Sequence, residues 1–224
     1  MQISRIPSGI NGLDSLIEGG FPIPSIILIS GSAGSGKTTF AFQFLIQGAK
    51  RGEKGLYVST LSESWEWMLR FMSTFEFFDS KYIEDGTIEY LDLGKDLAEM
   101  EEAKILRKIK EVVARTMPQR IVIDPINVVN SYVKNYRQFL FDLVTMLKEL
   151  STVTLITGEV NEREKYPVDV GYTADGIITL IMKSEENIIK RYVQILKMRG
   201  TAHSLSLHPL EITSEGIEVL RARF

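Results

Sequence analysis

Hydrophobic and polar residues alternate along the first two thirds of the chain in a way that predicts strands and helices in turn. Short β-branched runs predict buried strands, because a strand covered on both faces is apolar throughout. The predicted strands are 24–30, 55–60, 87–93, 120–124 and 152–159. Between them, apolar residues at helical spacing predict four helices. The predicted helices are 37–52, 63–78, 96–117 and 135–150.

The last third of the chain has a different pattern. After a polar segment at 160–173, which predicts a loop, apolar-rich runs such as GIITLIMKS and IIKRYVQILKM follow one another without a helical segment. The alternating part predicts an α/β fold, with a central mostly parallel sheet flanked by helices. The tail predicts C-terminal antiparallel β-hairpins. At 224 residues, the chain is expected to form one domain spanning 1–224.

The predicted helix at 63–78 is apolar nearly all round, which is typical of a helix that packs on two sides. One stripe at helical spacing is predicted to be core: Trp65, Met68, Leu69, Met72 and Phe75. Three aromatic residues lie off this stripe: Trp67, Phe71 and Phe78. These three are expected either beneath a loop or at a contact with another subunit.

Composition and charge exclude several kinds of site. The chain has no cysteine, which excludes disulfides, thiolate metal ligands and cysteine nucleophiles. Its two histidines, His203 and His208, argue against a histidine-rich metal centre. A net charge of −3 gives no overall attraction to nucleic acid or anionic lipid. The sequence has neither a signal-peptide core nor a run near the ~20 apolar residues of a membrane span, so a cytoplasmic protein is expected.

The segment GSAGSGKTT, residues 31–39, matches the phosphate-binding pattern G-x-x-x-x-G-K-[ST] at every fixed position. It follows a predicted strand and opens a predicted helix, so a P-loop is a better explanation than a chance glycine-rich turn. Glycines let the backbone wrap a phosphate, and a helix N-terminus favours negative charge. Lys37 is predicted to reach the phosphate oxygens of ATP and Thr38 to ligate Mg²⁺. The predicted ATP-binding residues of the loop are Gly31, Ser32, Ala33, Gly34, Ser35, Gly36, Lys37, Thr38 and Thr39.

A P-loop requires an acidic partner at the end of a nearby strand. Asp124 ends the apolar run 121–123 and is therefore predicted to hold Mg²⁺ together with Thr38. The alternative is a strand-ending turn residue beside Pro125. At the end of the strand predicted at 152–159, Thr157 and Glu159 could either sense a γ-phosphate or cap the strand.

Two segments outside the P-loop resemble one family. The lead-in GINGLDSLIEGGFP, residues 9–22, and the segment KMRGTAH, residues 197–203, are similar to sequences typical of KaiC-like ATPases, which are members of the RecA/RadA superfamily. The segment YTADGIITL, residues 172–180, is similar as well. The resemblance spans nearly the whole chain. It implies a RecA-like P-loop NTPase fold, and a homo-oligomeric ring or filament with ATP bound at the subunit junctions.

The resemblance also implies roles for cations near the C-terminus. In the family, the Lys and Arg of K-x-R project onto the nucleotide of a neighbouring subunit; these match Lys197 and Arg199, with His203 as an additional nucleotide contact. A cation delivered in this way would stabilise negative charge in the transition state, as an arginine finger does. The alternative is that both are outward-facing residues of a solvated strand, because their i, i+2 spacing puts them on one face in either case.

The resemblance also bears on the general base, because the family often has two adjacent glutamates just beyond the second strand. Counting directly from YVS, that pair would fall on Leu61 and Ser62; allowing one inserted residue, it falls on Ser62 and Glu63. The second alignment makes Glu63 the candidate catalytic base. The competing interpretation is a first-turn helix charge behind a Ser62 N-cap. Since at least one acid is missing, slow hydrolysis is expected.

Three functions remain open at this point. The first is a KaiC-type Mg·ATP-binding ATPase whose nucleotide controls assembly or binding of a protein partner. The second is a RadA-paralogue-like accessory protein that binds single-stranded DNA. The loop 160–173 has balanced charge, with Glu162 and Glu164 against Arg163 and Lys165, which disfavours nucleic acid. The third is an ATP-binding scaffold of a motor complex that does not hydrolyse.

Overall fold

A computed structural model describes residues 3–61, 64–161 and 164–221 of the chain. These residues are organised around a nine-stranded sheet with the order β11-β10-β9-β8-β3-β7-β6-β4-β5, beside a two-stranded antiparallel ribbon β1-β2. The strands are β1 Arg5–Ile6, β2 Phe21–Pro22, β3 Ser25–Gly31, β4 Gly55–Ser59, β5 Ile88–Asp92, β6 Arg120–Asp124, β7 Val153–Glu159, β8 Gly176–Glu185, β9 Ile188–Met198, β10 His208–Thr213 and β11 Gly216–Val219.

Helices cover both faces of this sheet. The first helix after β3 packs with the segment after β4 on one face, and the helices before and after β6 pack on the other face. The helices are α1 Lys37–Ala49, α2 Trp65–Met72, α3 Lys81–Glu84, α4 Gly94–Glu99, α5 Glu102–Thr116, α6 Tyr136–Lys148 and α7 Val168–Thr173. Short 3-10 turns lie at Asp14–Leu16 and Ile126–Ser131.

The predicted fold class is confirmed. In the central part of the sheet, β8, β3, β7, β6 and β4 pair in parallel with one another in that order. On one side, β9, β10 and β11 extend the sheet from β8 by antiparallel pairs. Strand β5 pairs with β4 at the opposite edge. The carboxyl ends of β3, β4, β6 and β7 therefore meet at one edge of the parallel part, which is where doubly wound sheets bind ligands.

Three predicted boundaries were wrong. The helix predicted at 63–78 ends at Met72, because the hydroxyls of Ser73 and Thr74 donate to carbonyls of the last turn and compete with helix continuation. The helix predicted at 96–117 is broken at Met100, whose backbone is extended with φ −106° and ψ 148°. The loop predicted at 160–173 contains α7, which begins directly after Pro167, a residue that suits a helix start.

Strands β8 and β9 form a long hairpin with one irregularity. Ile177 pairs with Lys197 and Ile178 pairs with Ile195, so Leu196 is the extra residue of a β-bulge. An extra residue shifts the alternation of faces by one position. As a result Val193, Ile195 and Met198 share one core cluster although strict alternation would separate Met198 from the other two. The bulge thereby turns Lys197 and Arg199 away from that core.

Candidate functional site

The loop between β3 and α1 has the geometry of a phosphate-binding cradle. Gly34 and Gly36 have φ of 77° and 103°, a region that residues with a side chain rarely adopt. A Cβ on Gly36 would lie 2.7 Å from Ile212 Cδ1, whereas the space around Gly34 is open. Helix α1 starts at Lys37 without a side-chain cap among the described residues, so its first amides face the concave side of the loop as donors for an anion.

Lys37 is folded back over this loop. Its Nζ donates to the carbonyl oxygens of Gly31 and Ser32, each at 2.9 Å. Burial lowers the pKa of Lys37 from its ordinary value, and the negative charges of Glu159 and Asp124 partly oppose that effect. An anion bound in the loop would add a third negative charge beside Lys37 and would favour the charged form of the ammonium further.

Asp124, at the carboxyl end of β6, is the second component of the site. It is 6% exposed and accepts hydrogen bonds from three hydroxyls. Thr38 Oγ1 and the Tyr57 hydroxyl both donate to Asp124 Oδ2, at 2.9 Å and 2.6 Å. Thr157 Oγ1 donates to Asp124 Oδ1. The sequence-predicted metal residues Thr38 and Asp124 are therefore in direct contact across 86 residues of chain.

The residues present fit the predicted ligands. Glycines at positive φ and a helix start without a side-chain cap match a nucleotide phosphate, and a carboxylate beside a threonine hydroxyl matches the oxygen ligands that Mg²⁺ prefers. The hydroxyl of Ser35 is buried and has no hydrogen-bond partner within the described part of the chain. The remaining predicted loop residues, Ser32, Ala33 and Thr39, lie in the same continuous segment between β3 and the first turn of α1.

One cation that the sequence analysis did not identify also lies at the loop. Arg191, on β9, donates from Nε and Nη2 to the Gly34 carbonyl oxygen, each at 3.3 Å. The β8–β9 hairpin continues past the end of β3, since Gly31 pairs with Leu180 and the hairpin turns only at Glu186 and Asn187. That overhang brings Arg191 to its own P-loop.

Lys197 and Arg199 lie at the opposite end of the sheet from the P-loop of the same chain. Arg199 donates from its backbone to Asp175 O, and Asp175 N–H donates to Ile26 O, which puts Arg199 at the level of the start of β3. Ile26 precedes Gly31 by five residues, about 16 Å along a strand. The structure therefore does not bring these two cations together with the phosphate cradle of their own chain.

A carboxylate holds Arg199 at that end. Asp175 Oδ1 accepts from Arg199 Nη1 and from Lys148 Nζ, both at 3.1 Å, and Asp175 Oδ2 accepts the Ile26 N–H at 3.1 Å. Lys197 Nζ donates to the Ala174 carbonyl at 2.5 Å. Burial lowers the pKa of Lys197, the positive charge of Arg199 lowers it further, and Asp175 raises it. Arg199 is 60% exposed at its side chain.

The structure describes some of the other residues that the sequence placed in the site and leaves some outside the described ranges. His203 is partly buried, and its Nδ1 has no hydrogen-bond partner among the residues described. Glu63 and Ser62 lie outside the described residues, as do Glu162 and Arg163. Thr157 contacts Asp124, whereas Glu159 is exposed. The Glu159 N–H donates to the side-chain oxygen of Asn127, and the side-chain amide of Asn127 donates to the Glu159 carbonyl. Within the described ranges, no helix is long and apolar enough to cross a membrane.

The sequence analysis did not identify Tyr57 as part of the site, because its position there depends on how the strands pair. Registers of the sheet place Ser59 opposite Asp124, and Val122 opposite both Tyr57 and Leu155. Residues two apart on a strand share a face, so Tyr57, Asp124 and Thr157 face the α1 side together. Strand order and register fix this juxtaposition, and neither was available from the hydrophobic pattern.

Comparisons with known proteins agree with this geometry. A family model described as KaiC ATPase matches residues 6–223. A UPF0273 protein of Thermotoga maritima is 34% identical over 97% of this chain and 96% of its own length. A circadian clock oscillator protein KaiC of Parasynechococcus marenigrum is 32% identical over 98% of this chain and 45% of the clock protein. The crystal structure of a KaiC-like protein from Pyrococcus horikoshii OT3 superposes with a TM-score of 0.89 and 35% identity, covering 98% of this chain and 100% of that one.

The resemblance found from the sequence is thus confirmed over the length of the chain. The P-loop at 31–39 lies on a RecA-like nucleotide-binding fold, and the C-terminal hairpins are part of that likeness. The chain belongs to the KaiC ATPase family.

Proposed function

We propose that the chain binds Mg·ATP in the P-loop of one subunit and that a neighbouring subunit completes the site. The observation that carries this proposal is the contact of Thr38 with Asp124 beside a cradle closed by Lys37. In the proposed complex, the amides of the loop and the Lys37 ammonium hold the phosphates, while Thr38 and Asp124 hold Mg²⁺. Bound Mg²⁺ would neutralise charge on the phosphates. Residues 1–224 act as one domain in this proposal.

The position of the C-terminal cations supports a role across a subunit contact. Lys197 and Arg199 lie at the end of the sheet away from their own P-loop, and the Leu196 bulge turns Lys197 to the face opposite Ile195 and Met198. A second copy that docks this end against the P-loop edge of the first would bring both cations to the phosphates. Such a head-to-tail contact generates a ring or a filament.

Slow hydrolysis is the chemistry we propose for the completed site. Arg199 and Lys197 of the neighbour would stabilise charge on the transferring phosphoryl group, and His203 would be a further nucleotide contact. Glu63 would orient or deprotonate the attacking water. Because one acid of the expected pair is replaced by Ser62, turnover is expected to be slow, which suits a nucleotide that controls assembly or a protein partner.

A mixing experiment tests the subunit contact. Phosphate release is measured against protein concentration for wild type, Lys37→Ala, Arg199→Ala and Glu63→Gln. Each variant is expected to lose activity alone, Arg199→Ala by roughly 100-fold or more. An equimolar mixture of Lys37→Ala and Arg199→Ala should recover roughly a quarter of the wild-type rate, because one contact in four then joins two intact halves.

The control for the arginine is Arg137→Ala. Arg137 is also exposed and also paired with an aspartate, Asp169, but it lies on α6. The Arg137→Ala variant should leave the rate of phosphate release unchanged. A mixture with no recovery, or a rate independent of protein concentration in wild type, would overturn the shared site. ATP binding with no phosphate release at any concentration would instead support the non-hydrolysing scaffold.

A further inference from the structure

Tyr57 connects the carboxylate of Asp124 to a stack of aromatic rings. Its hydroxyl is 2.6 Å from Asp124 Oδ2, the same oxygen that Thr38 contacts. Its ring is 1% exposed and lies 4.9 Å from the Phe42 ring and 5.7 Å from the Trp65 ring, measured between centroids. Tyr57 is therefore fixed at both its apolar and its polar end.

The stack continues from Tyr57 to the start of α2. Trp65 is the first residue of α2 and packs face to face with Tyr90, with centroids 4.1 Å apart and an interplanar angle of 16°. Trp65 also stacks on Phe42, which belongs to the P-loop helix α1. In the sequence, Trp65 follows the candidate base Glu63 by two residues. The rings thus join the helix behind the phosphate cradle to the segment after β4.

We propose that Tyr57 is a positioning residue for the metal site: its hydroxyl fixes the orientation of Asp124 Oδ2 beside Thr38, and its ring transmits the state of that carboxylate to Trp65. The inference rests on the proposed function, because it assigns Asp124 and Thr38 to Mg²⁺. A carboxylate on a short side chain can rotate its two oxygens, and a donor at 2.6 Å from one of them selects one arrangement.

Thr157 alone cannot fix that arrangement. It donates to Asp124 Oδ1, on the other side of the carboxylate, and it leaves Oδ2 to Thr38 and Tyr57. The Thr38 hydroxyl is itself a predicted metal ligand, so its hydrogen bond to Asp124 would change if Thr38 and Asp124 held Mg²⁺. Tyr57 also donates to Oδ2 but does not belong to the predicted ligand set, so it can stay bonded to this oxygen and follow its position when Mg²⁺ binds.

The test separates metal affinity from nucleotide affinity. The variant is Tyr57→Phe, which keeps the stacked ring and removes the hydroxyl. Binding of ADP is measured by calorimetry in EDTA and then across a Mg²⁺ titration. We expect the Mg²⁺ midpoint to rise roughly tenfold, the low end for loss of an outer-shell partner. ADP affinity in EDTA should stay within error of wild type, because the hydroxyl does not belong to the phosphate cradle.

The matched control is Tyr136→Phe. Tyr136 is partly buried, and its hydroxyl donates to a carbonyl, that of Ile126, rather than to Asp124. Its removal should not move the Mg²⁺ midpoint. An unchanged midpoint in Tyr57→Phe, or an equal loss of ADP affinity in EDTA, would overturn the positioning role. Failure of wild type to bind ADP with Mg²⁺ would remove the proposed function as well, so the two failures are distinguishable.

A spectroscopic readout tests the link to Trp65. The chain has two tryptophans, and Trp67 is 58% exposed on α2, so Trp67→Phe leaves Trp65 as the single emitter. Addition of Mg²⁺ to the ADP-bound Trp67→Phe protein should change the Trp65 emission. The same addition to Tyr57→Phe/Trp67→Phe, at saturating Mg²⁺, should give at most half of that change. An equal change in both proteins would show that the Tyr57 hydroxyl does not transmit the state of Asp124.

Discussion

The two ends of β3 carry opposite kinds of chemistry. At the carboxyl end, the P-loop, Lys37, Thr38 and Asp124 contact one another, so the groups that would hold Mg·ATP converge within one chain. At the amino end, Arg199 and Lys148 share one carboxylate, Asp175. The first end is organised to receive a ligand. The second end holds the side chains of Arg199 and Lys148 at the surface.

Under the proposed function, one chain holds the whole nucleotide-binding site, whereas the catalytic site is completed by a second chain. The carboxyl end should bind nucleotide at any protein concentration. The amino end should matter only where subunits meet. Substitutions at one end should therefore leave the properties of the other end unchanged.

The largest effect is expected at the carboxyl end, for Lys37→Ala. Loss of the ammonium removes charge-assisted hydrogen bonds to phosphate oxygens, so ADP affinity should fall roughly 100-fold at every protein concentration. Isothermal titration measures this. Lys54→Ala is the control, since Lys54 is an exposed lysine beyond the other end of α1. Undiminished affinity in Lys37→Ala would refute the assignment of the cradle.

A smaller effect is expected at the amino end, for Asp175→Ala. This change leaves the Ile26 N–H without its acceptor and two cations without their partner. The free energy of unfolding should fall by about 1–3 kcal/mol, measured by urea denaturation. Asp169→Ala, which breaks a more exposed pair with Arg137, should cost about 0–1 kcal/mol. Weaker binding of ADP by Asp175→Ala would show that the two ends are coupled within one chain.

The smallest effects are expected for two alanine substitutions inside the P-loop. Both Gly34→Ala and Gly36→Ala place a side chain at positive φ, which costs about 1–2 kcal/mol. Gly36→Ala adds a contact at 2.7 Å with Ile212, whereas Gly34→Ala meets no atom within 4 Å. The midpoint temperature of thermal unfolding should therefore be lower for Gly36→Ala than for Gly34→Ala. The reverse order would mean that the steric contact at Gly36 relaxes without cost.

The sequence predicted the strands better than the helices. Each run of β-branched residues became a strand, because strands buried on both faces must be apolar throughout. The breaks at Met72 and Met100 depend on side-chain hydrogen bonds and on contacts between elements, such as the Glu76 N–H to the Ser214 carbonyl. Such contacts join distant parts of the chain, and the spacing of apolar residues contains no record of them.

The candidate site was predictable where one local motif defines it. Lys37 and Thr38 follow from the loop pattern, and Asp124 follows from its place at the end of an apolar run. Tyr57 and Arg191 were missed because they reach the site through the pairing of β4 with β6 and through the overhang of the β8–β9 hairpin. Glu63 stays a prediction.

Strand β9 spans the distance between the two ends. Arg191 touches the P-loop of its own chain and Arg199 lies eight residues on, roughly 23 Å of extended strand once the bulged residue is discounted. In an assembly built on the proposed contact, one strand would touch two consecutive nucleotides, one at each end. The distance between neighbouring nucleotides in the assembly would then be set by the length of β9, which is fixed by its hydrogen bonds to β8 and β10. Neighbouring sites could not change their spacing independently.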